Sequence, residues 1–457
     1  MLLDRTLSLL QDSCGRAFAQ ERSRKRAVEL GLGTLCAFGR RTLSRSICAA
    51  GRQFQDWSAD YKVFSRSPWD ADDLFDPVMV DYLARYPRGP VCGACDDTKL
   101  ARSGRKVKTA FWQRDPLSPP FHVNLLYGLR FMQVSLLFPH YREGGFSARG
   151  IPVRFVECPA VKKPGKRADA AQWRAYRQAV KAHNLSTQSL AIIRGLRARL
   201  DVLGGSDRPL LLAVDGSLCN QTLFRAELDR VDFVGRCRKD ACLCFPAPAG
   251  ARRRYAPESF TPEEVRKDPK VPWRSVRIYF GGKKRRVRYK QVADVLWRRG
   301  ARQRRLRLLV LAPQPYKVSL HSRTHYHEPA YLLATHPYFG AKLLIQCYFD
   351  RWQIEVNHRD EKDILGVGQA QVWSTKSVPR QPAFAVACYS VILLAALQEF
   401  GPRRTDDFVP LPKWRKKATR PSALDLITLL RKEINETPGS HETIQKISQN
   451  LLPYAYT

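Results

Sequence analysis

Five consecutive apolar residues, Leu210–Val214, run between Arg208-Pro209 and Asp215-Gly216. A strand that is apolar at every position, and not at every second one, is covered on both faces. This segment therefore reads as a buried strand ending at Asp215, in a sheet with helices packed over it. Further strand-like runs precede it. "GPVCGACDDT" (89–98) reads as a strand running into acids, and 121–138 reads as two strands joined by a tight turn near Tyr127-Gly128. Helix-like segments follow around 171–184 and 187–203, and "RVDFVGRCRK" (230–239) reads as another strand. Strands first, then alternating helix and strand, predict an α/β chain built on a mixed sheet.

The rest of the chain divides around that core. Residues 1–90 are rich in Ala, Leu and Arg and read as a helical N-terminal DNA-binding domain. Within them, 39–51 reads as a turn and a helix beginning near Thr42, either a helix-turn-helix or part of a plain helical subdomain. The core then spans 91–244 and 340–400. Between its parts, 245–339 carries the strand-like pieces "SVRIYFGG", "RRVRYKQV", "RLRLLVLAP" and "AYLLATH" and reads as a mostly β insertion. The tail, 401–457, is basic and contains an amphipathic helix, "SALDLITLLRKEI". The longest apolar stretch, 383–397, is shorter than the roughly 20 residues of a bilayer span, so it reads as a buried helix. The N-terminus has an early acid and no continuous apolar run, which points to a cytoplasmic, nucleoid-associated protein without membrane partners. Its twelve cysteines are then reduced. Cys92-x-x-Cys95 with Cys237, Cys242 and Cys244 is a weak zinc pattern, because the Cys242-x-Cys244 spacing is wrong for a knuckle.

The 457 residues carry 78 Lys plus Arg against 42 Asp plus Glu, a net charge of +36. That balance suits a polyanionic partner and not a metabolic enzyme of ordinary charge, although general arginine enrichment would also produce it. The cations cluster with aromatic residues at 281–290, 297–309 and 413–417, as phosphate contact and base stacking require.

One helix carries the chemistry. The segment 340–363 holds Tyr348, Arg351, Glu355, His358 and Lys362 at gaps of 3, 4, 3 and 4, which places them on one face. From Tyr348 to Lys362 is about 21 Å along a helix axis, too long for a compact metal site and suited to an extended ligand. The apolar Leu344, Ile345, Trp352 and Ile354 fall off that face, and Trp352 reads as core. Two further acids stand at strand ends, Asp97 beside Asp96, and Asp215. Functional groups in open α/β sheets gather at such ends, and clustered carboxylates call for a divalent cation. Each acid also has a plain reading as a cap or turn residue.

These residues resemble the bacterial insertion-sequence transposases of the DDE superfamily, in the branch with a Y-x2-R-x3-E-x6-K signature. Here the signature is Tyr348, Arg351, Glu355 and Lys362, matched at every spacing. "DDTKLARSGRK" (96–106) is similar to the first-Asp block and points to Asp97, with Asp96 as the alternative. "LLAVDGSLCN" (211–220) is similar to the second-Asp block and points to Asp215, with Asp240 as its rival. The resemblance implies a ribonuclease-H-like core interrupted by a β insertion. It implies two Mg²⁺ or Mn²⁺ ions held by Asp97, Asp215 and Glu355, and phosphate contacts from Tyr348, Arg351 and Lys362. The implied partner is double-stranded DNA, both transposon ends and target, bound by a homo-oligomer when two ends are synapsed. The implied activity is strand cleavage and transfer of 3′ ends. A non-catalytic DNA-binding descendant would share the basic surface without needing all three acids.

Overall fold

The computed structural model describes residues 1–115, 118–119, 121–142, 145–319, 321–415, 418–436 and 447. Lys416 and Lys417 of the 413–417 cluster lie outside them. The fold is mixed α and β, around one twelve-stranded sheet.

Five helices come first: α1 (Leu2–Ala17), α2 (Glu21–Cys36), α3 (Leu43–Ala49), α4 (Ser58–Ser65) and α5 (Asp76–Arg85). Thr42 caps α3, its hydroxyl accepting from the Arg45 N–H at 3.2 Å, so the helix starts where the sequence places it. Then come β1 (Val91–Ala101), β2 (Phe111–Arg114), β3 (Leu125–Phe138) and β4 (Arg149–Glu157). Two helices, α6 (Ala170–Ala182) and α7 (Leu185–Leu200), lead to β5 (Leu210–Val214), α8 (Gln221–Arg225) and β6 (Val231–Arg236). These strands lie in the order β4-β3-β1-β5-β6. β1, β5 and β6 are mutually parallel, while β3 is antiparallel to both of its long neighbours.

β5 is central and fully buried, as its unbroken apolar run requires. Its residues alternate between two cores. Leu211 and Ala213 join Ala94, Leu344, Ile345 and Ile354 on one face, while Leu210, Leu212 and Val214 join Cys95, Ile193 and Leu196 on the other.

The segment after β6 extends the same sheet. It comprises β7 (Leu243–Pro246), β8 (Tyr255–Phe260), α9 (Pro262–Lys267), β9 (Arg274–Phe280), β10 (Lys283–Leu296), β11 (Arg305–Leu311), the small pair β12 (Pro315–Tyr316) and β13 (His325–Tyr326), and β14 (Ala330–Ala334). β14 pairs with β6, β11 with β14 and β10 with β11, so hydrogen bonding continues without a break from the central strands. The four strand-like pieces read from the sequence coincide with β9, β10, β11 and β14.

The chain returns through α10 (Ala341–Asp350), α11 (Trp352–Asp363), α12 (Ser377–Phe400) and α13 (Ala423–Glu436). α12 is long and apolar enough to cross a membrane, but 83% of its apolar window is buried inside the protein. It packs between β4 and the N-terminal helices, with Phe384 edge-on to Phe64 and Trp69. α13 closes over the same helices: the Glu433 carboxylate accepts from the Leu2 and Leu3 N–H groups at the start of α1.

The turn expected at Tyr127-Gly128 is absent. β3 runs straight through, with Gly128 opposite both Ala101 and Phe111. The glycine serves a close approach of backbones: a Cβ there would overlap the Leu100 carbonyl oxygen. Gly128→Ala is therefore expected to cost about 1–3 kcal/mol of stability by overpacking, read as a lower denaturant midpoint with unchanged m-value. An ordinary turn position would show little change.

Candidate active site

Strand alternation decides which acids can meet. Successive side chains of β1 leave on opposite faces, so Asp96 shares a face with Ala94, toward α10 and α11, and Asp97 leaves on the other. The register of the parallel strands pairs Cys95 with Val214 and Val214 with Gly235. The next residues, Asp96, Asp215 and Arg236, thus stand abreast on three neighbouring strands about 4.8 Å apart. Asp215 is fixed by a turn: its Oδ1 accepts from Ser217 N–H (3.1 Å), Ser217 O–H (2.9 Å) and Leu218 N–H (3.0 Å), and none of these bonds uses Oδ2.

α11 lies over this row and supplies Glu355. The Arg351 guanidinium links the two parts, with Nη1 at 3.5 Å from Asp96 Oδ2 and Nη2 at 3.0 Å from Glu355 Oε1. Burial, then the Asp215 charge, pushes the Asp96 carboxyl up to about 7 against the pull of Arg351. Glu355 is also raised, first by burial, while Arg351 opposes and Asp215 adds to it. Among the described residues, no three His, Cys, Asp or Glu side chains form a ready-made metal-ligand group. A cation does stand among these acids, but it is Arg351.

The other sequence-predicted residues divide into two sets. Tyr348 lines a cleft of about 410 Å³ together with Arg236, Tyr279, Arg351 and Trp352, and burial raises its phenol. Asp97 does not join this set. Arg130 holds it in a two-pronged ion pair, Nε–Oδ2 2.7 Å and Nη2–Oδ1 3.0 Å, and its charge acts on His358 and Lys362 further along α11. Burial lowers Lys362 despite Glu361, Asp363, Asp97 and Asp115 around it. Burial, reinforced by Lys362, brings His358 down to about 3, so the imidazole is neutral, and its Nε2 has no hydrogen-bond partner.

Two expectations change. The single helix over 340–363 is two segments abutting at Arg351. That residue keeps helical angles (φ −50°, ψ −32°), but its carbonyl accepts from Ile354 N–H three residues on, so the turn tightens without reversing. Trp352 is not core: it is 60% exposed at the lip of the cleft, while Leu344, Ile345 and Ile354 are buried as expected. Asp240 sits on the surface against Arg238 and not with the other acids. The zinc pattern also gathers no site, since Cys92 and Cys95, three apart on a strand, point to opposite faces. Sequence reasoning missed Arg236; counting parallel-strand register from Asp215 is the signal that finds it.

The two neighbouring acids of β1 should respond oppositely to neutralisation. In divalent-free buffer at pH 8, Asp97→Asn leaves Arg130 half-buried and unpaired and should cost about 1–3 kcal/mol. Asp96→Asn relieves burial and repulsion and should gain on the order of 1 kcal/mol. Thermal or urea unfolding of both variants reads the signs.

No family model matches the chain and no curated protein is similar to it, so any functional reading rests on this geometry and on the sequence pattern.

Proposed function

We propose that the chain is a DDE-type DNA transposase that binds the terminal inverted repeats of its own insertion sequence, cleaves them by metal-dependent hydrolysis and joins the 3′ ends to target DNA. The observation that carries the reading is the link that Arg351 makes between Asp96 and Glu355, with Asp215 on the neighbouring parallel strand and Tyr348 of the matched signature in the adjoining cleft. The block β4-β3-β1-β5-β6, covered on both faces, supports a ribonuclease-H-like core, with β7 through β14 as its insertion.

The donor set fits magnesium or manganese: three carboxylates, all oxygen, on partly solvated positions. Asp96, Asp215 and Glu355 would hold the metal, and Asp96 takes this role in place of Asp97 because Asp97 is committed to the Arg130 guanidinium. Two such ions, when bound, activate a water or a 3′-hydroxyl and stabilise the leaving oxygen. The protein's own groups do the rest. Arg351 keeps the acids in register and is placed to turn onto a phosphate. Tyr348, Arg236 and Lys362 offer a phenol and two cations along the path of the strand. Neutral His358 can accept a hydrogen bond but cannot add charge.

Asp96→Ala, Asp215→Ala and Glu355→Ala should each lower Mg²⁺-dependent cleavage of DNA carrying the element's termini by at least about 10³-fold while retaining duplex binding. Asp97→Asn should retain more activity than Asp96→Asn. Cleavage that survives all three alanine variants would sink the proposal. A second reading, a non-catalytic DNA-binding relative, is favoured by one observation: Arg351 already neutralises the acids. It predicts binding by the wild-type chain with no cleavage under any divalent ion.

A further inference from the structure

Between β4 and α7 the chain leaves the fold and comes back. The Gln188 side chain closes the loop at its root, its Nε2 donating to the Pro159 carbonyl at 3.2 Å and to the His183 carbonyl at 2.8 Å. The excursion consists of a connector and α6, and α6 buries none of its thirteen residues. Residues 159–184 contain one acid, Asp169, and seven cations. Four, Lys162, Lys163, Lys166 and Arg167, are in the connector, where Lys163 folds over the Trp173 ring at 5.7 Å. Three, Arg174, Arg177 and Lys181, follow one another along a face of α6 at spacings of three and four.

This helix lacks the usual reasons to exist. An isolated helix of this length is marginal in water, and helices in proteins are held mainly by an apolar face packed on a core. α6 has a capping box instead, Asp169 and Gln172 each bonding the other's backbone N–H, worth on the order of 1 kcal/mol. Against it, Arg174 and Arg177, and Arg177 and Lys181, are like charges at repelling distance. The one acid is spent on the cap, and none of the three cations forms an ion pair among the described residues. A row of phosphates laid along the helix would remove the repulsion and supply the missing partner.

The root places the arm. Ser186, at the start of α7, takes a hydrogen bond from Asn220 Nδ2 at 2.8 Å, and Asn220 closes the turn that begins at Asp215. The root of the arm therefore lies at the end of β5 that carries Asp215.

We propose that α6 is a docking arm for the backbone of a nucleic-acid duplex, gripping phosphates away from the reacting one. This rests on the transposase reading for the identity of the duplex as DNA, but not for the binding itself.

The test is equilibrium binding of a labelled DNA duplex by the full chain in EDTA, across about 50–200 mM salt. Arg174→Gln/Arg177→Gln/Lys181→Gln keeps good helix formers at all three positions. It should bind more weakly, with a log–log salt slope shallower by about 2–3, at ~0.9 for each phosphate the arm no longer neutralises. Limited trypsin digestion should show those three sites protected by duplex in the wild type. An unchanged slope in the triple variant, or arm sites cut equally fast with and without duplex, overturns the proposal. So does duplex binding that is unaffected while polyglutamate binding is lost, which would assign the arm to an acidic protein. Because the assay excludes divalent ions, a chain that never cleaves but shows the shallower slope leaves the arm standing and removes only the cleavage reading.

Discussion

Two carboxylates one strand apart, on the same face of a sheet and partly withdrawn from water, repel one another. Asp96 and Asp215 occupy that position because parallel pairing of β1 with β5 leaves no other register for them. The repulsion appears directly in the Asp96 carboxyl, pushed up to about 7. Arg351 is the fold's response: a single guanidinium between Asp96 and the Glu355 that α11 brings across. A stability-driven chain would replace these groups with apolar ones, since a buried ion cluster is seldom the most stable filling. Keeping them is sensible where a more strongly charged cation, or a phosphate attracting Arg351 away, enters the same space.

The surrounding architecture exists to make that arrangement rigid. β5 needs both faces covered, and α10 with α11 on one side and α7 on the other provide the cover. Covering β5 from the α10–α11 side also sets Glu355 above the strand ends. The antiparallel strands β14, β11 and β10 then continue the sheet on the far side of β6, placing β9 against α10 and walling the cleft that holds Tyr348 and Trp352. Tyr279 N–H and C=O both bond the Gln346 side chain, so the wall is tied to the signature helix itself.

What the sequence revealed depended on whether the signal was local. The apolar run of β5, the Thr42 cap and the alternating cations of β9 and β10 all state their structure within a few residues, and each forms where expected. Gly128 misled because its reason is a partner strand much earlier in the chain, and a glycine in isolation reads as a turn. Asp96 and Asp97 cannot be ranked by adjacency to Thr98; only the face of β1, fixed by what packs on it, separates them. Trp352 follows the same logic: helical periodicity places it off the signature face, but that side opens onto the cleft, so it stays 60% exposed. The exposed state of α6 was invisible because its pattern is that of any amphipathic helix, and that none of its residues is buried is a tertiary fact.

The net charge of +36 also separates into parts that composition cannot distinguish. Many arginines are internal fasteners. Arg197 donates to the Arg208 and Gly205 carbonyls, Arg380 to those of Ser67 and Trp69, Arg431 to those of Cys36 and Ala37, and Arg304 reaches both Ala226 and Asp232. These tie chain ends and helix termini together and would be needed whatever the protein bound. The remainder is different in kind. On the β9–β10 ribbon Arg277 stands directly opposite Arg286, a cross-strand pair that destabilises a sheet, and on α6 the repulsion runs along the helix. Repulsion on this exposed ribbon and arm, in contrast to the arginines that bond backbone carbonyls elsewhere, is what the proposed polyanionic partner would relieve. The polyanion argument therefore rests on those two elements and not on the total charge.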